Sequence, residues 1–267
     1  MLPLSANLKW LFTEWAFEER FAAAAAAGFT AVEYASPYEY STARLRALLQ
    51  ESGLRQVLIN SPSYAGAGHG SGIACHPDKI GLFREGFENA LQYANDLSCP
   101  FIHLLGGIKP ADCSREHALD IYAENVAWAA HLAARSGRKV LIEAINQRDA
   151  PGFILHTLEQ AVTLISAIGD KGLGLLFDVY HCQVQQGDIT THLTRCLPWI
   201  DHIQIADVPL RNEPGTGEIA WQFLLRHIET LGYRGHIGCE YRPAVSTLEG
   251  LKWSHLYGEV QGLGAGS

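Results

Sequence analysis

The sequence predicts an α/β fold built as a (β/α)8 barrel, and three observations support this prediction. Short apolar segments typical of strands alternate with longer segments typical of helices along the whole chain. Eight segments of each kind can be assigned, and eight is the number that closes such a barrel. The length of 267 residues also suits a barrel, which typically takes about 250 residues. An open, doubly wound sheet is the alternative, but the count of eight favours the barrel.

The predicted strands are short, and Gly, Pro, Asn or Asp flank them. Several are apolar on both faces, as expected for strands of a covered parallel sheet. In chain order they are Leu4–Leu8, Ala31–Tyr34, Gln56–Asn60, Phe101–Leu105, Lys139–Ile145, Leu173–Phe177, His202–Ala206 and His236–Glu240.

The predicted helices repeat apolar residues at helical spacing, and some end at a glycine, the usual residue just past a helix. In chain order they are Phe17–Ala27, Ser41–Glu51, Asp78–Leu97, Cys113–Arg135, Thr157–Ile168, Asp188–Cys196, Ala220–Leu231 and Thr247–Leu256. No linker rich in Pro, Gly or Ser divides the pattern, so we expect one domain over residues 1–267. The glycine-rich segment Ser61–Pro77 is predicted to be an extended loop after the third strand and a candidate lid.

Composition excludes several functional classes. The formal net charge is −8 and no basic stripe is present, which argues against nucleic-acid binding and against an anionic membrane surface. The segment Met1–Trp10 lacks the pattern of a secretory signal, and the apolar run Phe21–Phe29 is too short to span a bilayer. The six cysteines form no C-x-x-C pair, so reduced thiols and a cytoplasmic location are expected. A small-molecule substrate fits these observations.

The most informative residues are four polar ones, each within or at the end of an apolar strand-like run: Glu143, Asp178, Gln204 and Glu240. Burying a carboxylate or an amide is costly unless something compensates it. These residues are spaced by 35, 26 and 36 residues, about one strand-plus-helix unit each, and they fall late in predicted strands five to eight. Ligands bind at the carboxyl ends of strands in such folds, so we expect one shared site. Structural hydrogen bonds or partnership with nearby Arg and Lys are the alternative roles.

The donor atoms of these four residues are all oxygen. Hard divalent cations such as Mg²⁺ or Mn²⁺ prefer such ligands, whereas zinc usually recruits His or Cys. Glu143 and Glu240 would face each other across the barrel mouth, where two carboxylates can move a proton between adjacent carbons of a substrate. A cation between them would polarise a carbonyl. This set suits aldose–ketose isomerisation through a cis-enediol, and it would also suit epimerisation.

Two further residues are candidates for binding substrate. His181 follows Asp178 by three residues, where it could hold a substrate oxygen or instead cap a helix. Arg211 lies in the loop after strand seven, where its guanidinium could pair with a substrate carboxylate. An internal ion pair with Glu213 or Glu218 is the alternative for Arg211.

Several segments resemble the hydroxypyruvate isomerase family, which belongs to the xylose-isomerase-like barrels. They are Ser5-Ala-Asn-Leu-Lys-Trp-Leu-Phe-Thr-Glu, Phe177-Asp-Val-Tyr-His, His202-Ile-Gln-Ile-Ala-Asp-Val-Pro, Glu213-Pro-Gly-Thr-Gly-Glu-Ile and Gly238-Cys-Glu-Tyr-Arg-Pro. The resemblance implies that Glu143 and Glu240 are the catalytic glutamates. It also implies that Glu143, Asp178, Gln204 and Glu240 bind a divalent metal, with Mg²⁺ expected and Mn²⁺ as the alternative.

The same resemblance implies the reaction and its substrate class. A short hydroxy-oxo acid is expected: hydroxypyruvate, converted to 2-hydroxy-3-oxopropanoate, or a 2-oxo-tetronate, the substrate of a sister group. The chain has Asn212 where members often carry His in Arg-His-Glu-Pro, which affects the expected substrate contacts. Two alternatives remain at this stage: a sugar or sugar-acid epimerase on the same scaffold, and a non-catalytic sugar-acid binding protein. Barrels of this kind often associate, so a homo-oligomer is possible.

Overall fold

A computed structural model describes residues 2–64 and 70–256 of the chain, and in it eight parallel strands close into a barrel. Each strand pairs with the next one along the chain, and the first pairs with the last. The predicted barrel is therefore confirmed over the open sheet. The strands are β1 (Leu4–Asn7), β2 (Ala31–Tyr34), β3 (Arg55–Asn60), β4 (Phe101–His103), β5 (Lys139–Glu143), β6 (Leu173–Asp178), β7 (Ile200–Ile205) and β8 (Ile237–Cys239).

Helices follow the strands around the barrel. They are α1 (Glu19–Ala26), α2 (Thr42–Ser52), α3 (Ile80–Asp96), α4 (Arg115–Arg135), α5 (Leu158–Ile168), α6 (Val179–Gln185), α7 (Ile189–Cys196), α8 (Trp221–Thr230), α9 (Thr247–Gly250) and α10 (Trp253–Leu256). Two predictions need correction. The single helix predicted over Thr247–Leu256 is two short helices, and α6, only seven residues long, was not predicted because so short a segment shows no apolar periodicity.

Local sequence explains where several helices begin and end. Thr157 and Gln160 form a reciprocal capping box at the start of α5, and Gly169 ends that helix with a φ of +64°. Asp178 caps α6, because its Oδ1 accepts hydrogen bonds from the backbone N–H groups of Tyr180 and His181. The last residue of β6 is thus also the residue that starts α6.

The barrel interior contains an apolar layer and a polar layer. Leu58, Leu141 and Leu176 pack together, and Leu141 and Leu176 lie two residues before Glu143 and Asp178, so they share the inward face of their strands. The polar layer is centred on Glu33, and His202 belongs to it, with Nε2 2.8 Å from Glu33 Oε2. His202 is completely buried, so this contact places its imidazole beside a carboxylate inside the barrel.

Outside the strands, the helices complete the hydrophobic core. The aromatic rings of Phe83 and Phe87 on α3 contact Trp128 on α4, with ring centroids 6.3 and 5.8 Å apart. Of the predicted loop Ser61–Pro77, residues 65–69 lie outside the described residues, so the lid prediction is not addressed. Among the helices in the described ranges, none combines the length and apolar character that crossing a bilayer requires.

Candidate active site

The four polar residues singled out in the sequence lie at one end of the barrel. Glu143 and Asp178 are the last residues of β5 and β6, Gln204 is the last but one of β7, and Glu240 directly follows β8. Asp178 and Gln204 are register partners on neighbouring strands, and Gln204 is the partner of Gly238. All four side chains therefore share the carboxyl edge of the barrel, where ligands bind in this fold.

A continuous series of close contacts links the three acids of this edge. His181 Nε2 lies 3.8 Å from Glu143 Oε1 and 3.7 Å from Asp178 Oδ2. Arg211 Nη2 lies 3.4 Å from the same Asp178 oxygen and 2.5 Å from Glu240 Oε2. The side chains of Glu143, His181 and Asp178 are almost completely buried, and those of Arg211 and Glu240 are each 17% exposed. The site is thus a mostly desolvated cluster with one opening, on the side of Arg211 and Glu240.

Neighbouring groups compensate only part of the negative charge that Glu143 and Asp178 bring to the buried end of the site. Burial, and then Asp178 and Glu240, raise the pKa of Glu143 well above its usual range. Burial also raises the pKa of Asp178 to about 7, against the opposing effect of Arg211. Among the described residues, Glu143 Oε1 has no hydrogen-bond partner although it is buried. A cation would supply the missing compensation.

Spacing also permits a metal ion at this end of the site. Glu143, Asp178 and His181 each offer one ligand atom, and these atoms all lie within 4.8 Å of one another. Glu240 is outside this group, although it is joined to Asp178 through Arg211. Oxygen-rich groups of this kind fit a hard divalent cation, so the residues present fit the predicted group.

The role of His181 within this group follows from its hydrogen bonds. Its Nδ1 lies 2.6 Å from Asn146 Nδ2, and the backbone N–H of Asn146 also points at Nδ1. The Asn146 amide is itself oriented, because its oxygen accepts from the backbone N–H of Asp149 and its nitrogen donates to the Asp149 carboxylate. Nδ1 is therefore an acceptor, so Nε2 carries the ring proton. A protonated Nε2 donates a hydrogen bond and has no lone pair for a metal, so within this group only the two carboxylates could act as ligands.

Arg211 contacts the acids of the site rather than the loop residues considered in the sequence. Its partners are Glu240 and Asp178, so neither Glu213 nor Glu218 takes up its charge. The guanidinium also stacks on aromatic rings, 4.8 Å from the centroid of Tyr180 and 5.3 Å from that of Trp10. Arg211 Nε and Trp10 Nε1 are buried, and neither has a hydrogen-bond partner within the described part of the chain.

Asp207 holds the loop that carries Arg211. Its Oδ2 accepts hydrogen bonds from the backbone N–H groups of Gly215 and Gly217 and from the indole N–H of Trp221, at 2.8 to 2.9 Å. The backbone N–H of Arg211 donates to the Asp207 carbonyl, and Arg211 has a φ of +60°. The loop geometry that turns Arg211 into the site therefore depends on one buried carboxylate.

Sequence reasoning missed three residues of the site: Glu33, Asn7 and Asn146. Glu33 follows the same signal as the four predicted residues, a carboxylate inside the apolar run Ala31–Tyr34, and could have been found by it. Asn7 ends β1, and its Nδ2 lies 3.2 Å from both Glu33 Oε1 and Glu240 Oε1. Asn146 lies in a loop, where no periodic pattern marks it.

Comparison with known proteins agrees with this fold. The family model for xylose isomerase-like TIM barrels matches residues 21–256. The chain belongs to the xylose isomerase-like TIM-barrel family. One relative is a 2-oxo-tetronate isomerase from Cupriavidus necator. The two sequences are 44% identical, and the alignment covers 96% of this chain and 99% of the relative. A hydroxypyruvate isomerase from Escherichia coli is 40% identical, with coverage of 96% and 100%.

One similar solved structure is that of an AP endonuclease, family 2, from Brucella melitensis. It superposes with a TM-score of 0.93 at 35% identity and covers 97% of this chain and 100% of that one. Three relatives named as isomerases match nearly end to end at 38 to 44% identity. The protein is accordingly an isomerase of the intramolecular oxidoreductase class.

Proposed function

We propose that the protein isomerises a short 2-oxo-3-hydroxy acid by moving a proton between C3 and C2, through a cis-enediol. Hydroxypyruvate would give 2-hydroxy-3-oxopropanoate, and a 2-oxo-tetronate would give its 3-oxo isomer. The two substrates share the reacting atoms and the carboxylate, and they differ only in the group beyond C3. The names of the two relatives at 44% and 40% identity support this class of substrate.

The observation that carries the proposal is the series of contacts from Glu143 through His181, Asp178 and Arg211 to Glu240. It places two glutamates at the ends of one buried cluster, on strands β5 and β8, with hydrogen-bond donors between them. Two carboxylates in such an arrangement can act as base and acid toward adjacent carbons. A non-catalytic binding protein would have no need of two carboxylates whose charge is so poorly compensated.

The atoms of the reaction balance with the groups present. One glutamate removes the proton from C3, the electron pair of that C–H bond forms the C2=C3 double bond, and the C2=O electron pair passes to O2. The proton on O3 then moves to O2, the carbonyl forms at C3, and the electron pair of the C2=C3 bond takes up a proton that a glutamate delivers to C2. The Nε2–H of His181 lies within 4 Å of Glu143 and of Asp178, so it is placed to donate to a substrate oxygen bound between these acids.

A divalent cation, Mg²⁺ or Mn²⁺, would be held by Glu143, Asp178, Gln204 and Glu240, and when bound it would polarise the substrate carbonyl. With the cation bound, Arg211 would no longer be the only group that compensates the negative charge of Glu240 and Asp178. Two buried N–H groups without a partner in the described part of the chain, Nε of Arg211 and Nε1 of Trp10, are suited to a group that only accepts hydrogen bonds. We assign the substrate carboxylate to these donors, and this assignment accounts for the proposed choice of an acid as substrate.

The test is an activity screen of the purified protein with hydroxypyruvate and a 2-oxo-tetronate, in the presence of Mg²⁺ or Mn²⁺, followed by proton NMR in deuterated water. We expect a product whose carbonyl has moved to C3 and whose C2 carries deuterium. Epimerisation would leave the carbonyl in place and invert one carbon. Binding of either acid by calorimetry without turnover under all metal conditions would contradict the proposal.

A further inference from the structure

We propose that Glu33 is a positioning residue, which orients the side-chain amide of Gln204 so that its oxygen faces the cation site. The inference rests on the proposed function, since it concerns how the fold prepares one of the four proposed ligands. Glu33 lies on β2 and is completely buried inside the barrel. It touches neither the carboxylates of Glu143 and Asp178 nor the loop of Arg211 in any hydrogen bond found among the described residues.

The Glu33 carboxylate accepts hydrogen bonds on both oxygens. Oε2 accepts from Ser5 Oγ and from His202 Nε2, each at 2.8 Å. Oε1 accepts from Gln204 Nε2 at 2.7 Å and from Asn7 Nδ2 at 3.2 Å. Burying a carboxylate is costly unless donors compensate its charge, and hydrogen bonds to a charged group are stronger than those between neutral groups. Four donors are therefore enough to keep the carboxylate in the core.

An acceptor-only partner determines which way an amide points. A carboxylate offers no hydrogen to the Gln204 oxygen, so the nitrogen of that amide must face Glu33. The amide is planar, so its oxygen lies on the side away from Glu33. Because Gln204 is the register partner of Asp178, that side is the edge that carries the proposed ligands. The ligand atom is thus presented before any cation arrives, as outer residues do for metal ligands in general.

Strand β8, separated from β2 only by β1, makes room for this arrangement. Gly238 on β8 lies beside Glu33, and a Cβ there would come within 2.5 and 2.6 Å of the two carboxylate oxygens. A second link runs through Asn7, whose Nδ2 also donates to Glu240 Oε1. Glu33 Oε1 therefore faces the site, and Oε2 faces the barrel interior.

The difference between the two oxygens allows a matched experiment. Metal-free wild type, Glu33→Gln and Ser5→Ala are titrated with Mn²⁺ alone, and free Mn²⁺ is followed by electron paramagnetic resonance. Glu33→Gln replaces the acceptor by an amide that no longer dictates the Gln204 orientation, so we expect Mn²⁺ affinity to fall by about 10- to 100-fold. Ser5→Ala removes a donor from Oε2 only, so its Mn²⁺ affinity should stay close to that of wild type.

A double variant tests the route of the effect. If Glu33 acts through Gln204, most of the loss should disappear when Glu33→Gln is made in a Gln204→Ala background. A loss that persists in full there overturns the inference. Equal Mn²⁺ affinity of wild type and Glu33→Gln also overturns it, while leaving the proposed function intact. Failure of wild type itself to bind Mn²⁺ overturns both the cation part of the proposed function and this inference.

Wild type alone provides a second measurement should Glu33→Gln fail to fold. In ¹⁵N-labelled, metal-free protein, a Gln204 Nε2 proton held by Glu33 should exchange slowly with solvent. It should remain protected when Mg²⁺ is added, because the cation takes the oxygen of the amide. Exchange at the rate of an exposed amide overturns the inference.

Discussion

Asn146 determines the tautomer of His181. Its Nδ2 lies 2.6 Å from His181 Nδ1, and Asp149 holds the Asn146 amide in the orientation that makes it a donor. The ring proton is therefore on Nε2, between Glu143 and Asp178. With its proton on Nε2, His181 can donate a hydrogen bond to a substrate. With its proton on Nδ1, its Nε2 could instead bind a metal.

Asn146→Asp should reverse this preference. A carboxylate at position 146 accepts the proton of Nδ1, so Nε2 loses the hydrogen that we assign to the substrate. We expect kcat to fall by about 100-fold, whereas Mn²⁺ affinity should be unchanged or higher because Nε2 then has a free lone pair. Steady-state kinetics and ¹⁵N NMR of the imidazole measure the two effects. Asn89→Asp, on the exposed face of α3, adds the same charge and should leave kcat unchanged.

Glu143→Gln should abolish turnover without weakening the fold. Removing a proton carrier costs about 10²- to 10⁴-fold in kcat. The neutral amide also avoids the burial of an uncompensated charge, so the unfolding temperature of the metal-free protein should be unchanged or higher. Glu116→Gln, exposed on α4, is the matched control and should alter neither quantity. A near-wild-type kcat in Glu143→Gln would show that this residue is not needed for proton transfer.

Arg211→Lys should raise KM for the acid substrate by about 10- to 100-fold, because Lys keeps the charge but lacks the planar donors and the stacking on Tyr180 and Trp10. Initial rates over a range of substrate concentrations measure this change. An analogue with an amide in place of the carboxylate should show a smaller difference between the two proteins. An equal difference for both compounds would show that Arg211 does not bind the carboxylate. Arg226→Lys, exposed on α8, serves as the control.

Asp207→Asn should destabilise the protein and misplace Arg211 together. The amide cannot accept all the hydrogen bonds that Gly215, Gly217 and Trp221 donate, and buried donors without partners cost about 1–3 kcal/mol each. We expect a loss of about 3 kcal/mol in urea unfolding and a higher KM. Asp112→Asn, at an exposed position, should change neither. If Asp207→Asn is destabilised but its KM is unchanged, the loop that Asp207 holds does not affect substrate binding.

His236 should contribute to acid sensitivity far from the site. Burial, and then Arg55, lower the pKa of His236 from 6.5 to about 4. Because the folded state of this histidine has the lower pKa, the unfolded chain binds the proton more readily than the folded one. Its contribution to the free energy of unfolding is therefore complete above pH 6.5 and is lost as the pH falls toward 4. The fall in unfolding temperature between pH 7 and pH 4 should be smaller in His236→Gln. Exposed His117→Gln should show the full wild-type fall.

The barrel could be predicted because each strand and each long helix carries its own local pattern. Seven of the eight predicted helices correspond to single helices of the structure, and every strand end agrees with its prediction to within two residues. Glu143, Asp178, Gln204 and Glu240 could be found because a polar residue in an apolar run is visible without knowledge of the fold. Their shared edge then followed from the parallel topology.

The remaining parts of the site depend on contacts between residues far apart in the chain. Arg211 reaches Glu240 and Asp178 because Asp207 folds the loop, and no spacing rule encodes that path. Asn146 orients His181 from a loop 35 residues earlier. Sequence patterns report which residues are buried on each element, whereas these partnerships arise only when the barrel closes.

Asp178 serves two purposes with two different oxygens. Oδ1 starts α6, and Oδ2 faces His181 and Arg211. An asparagine could keep the helix cap but not the charge, and a glutamate would keep the charge but shift it away from the cap. Neither of these replacements keeps both the cap and the charge, so each of them at position 178 loses one of the two.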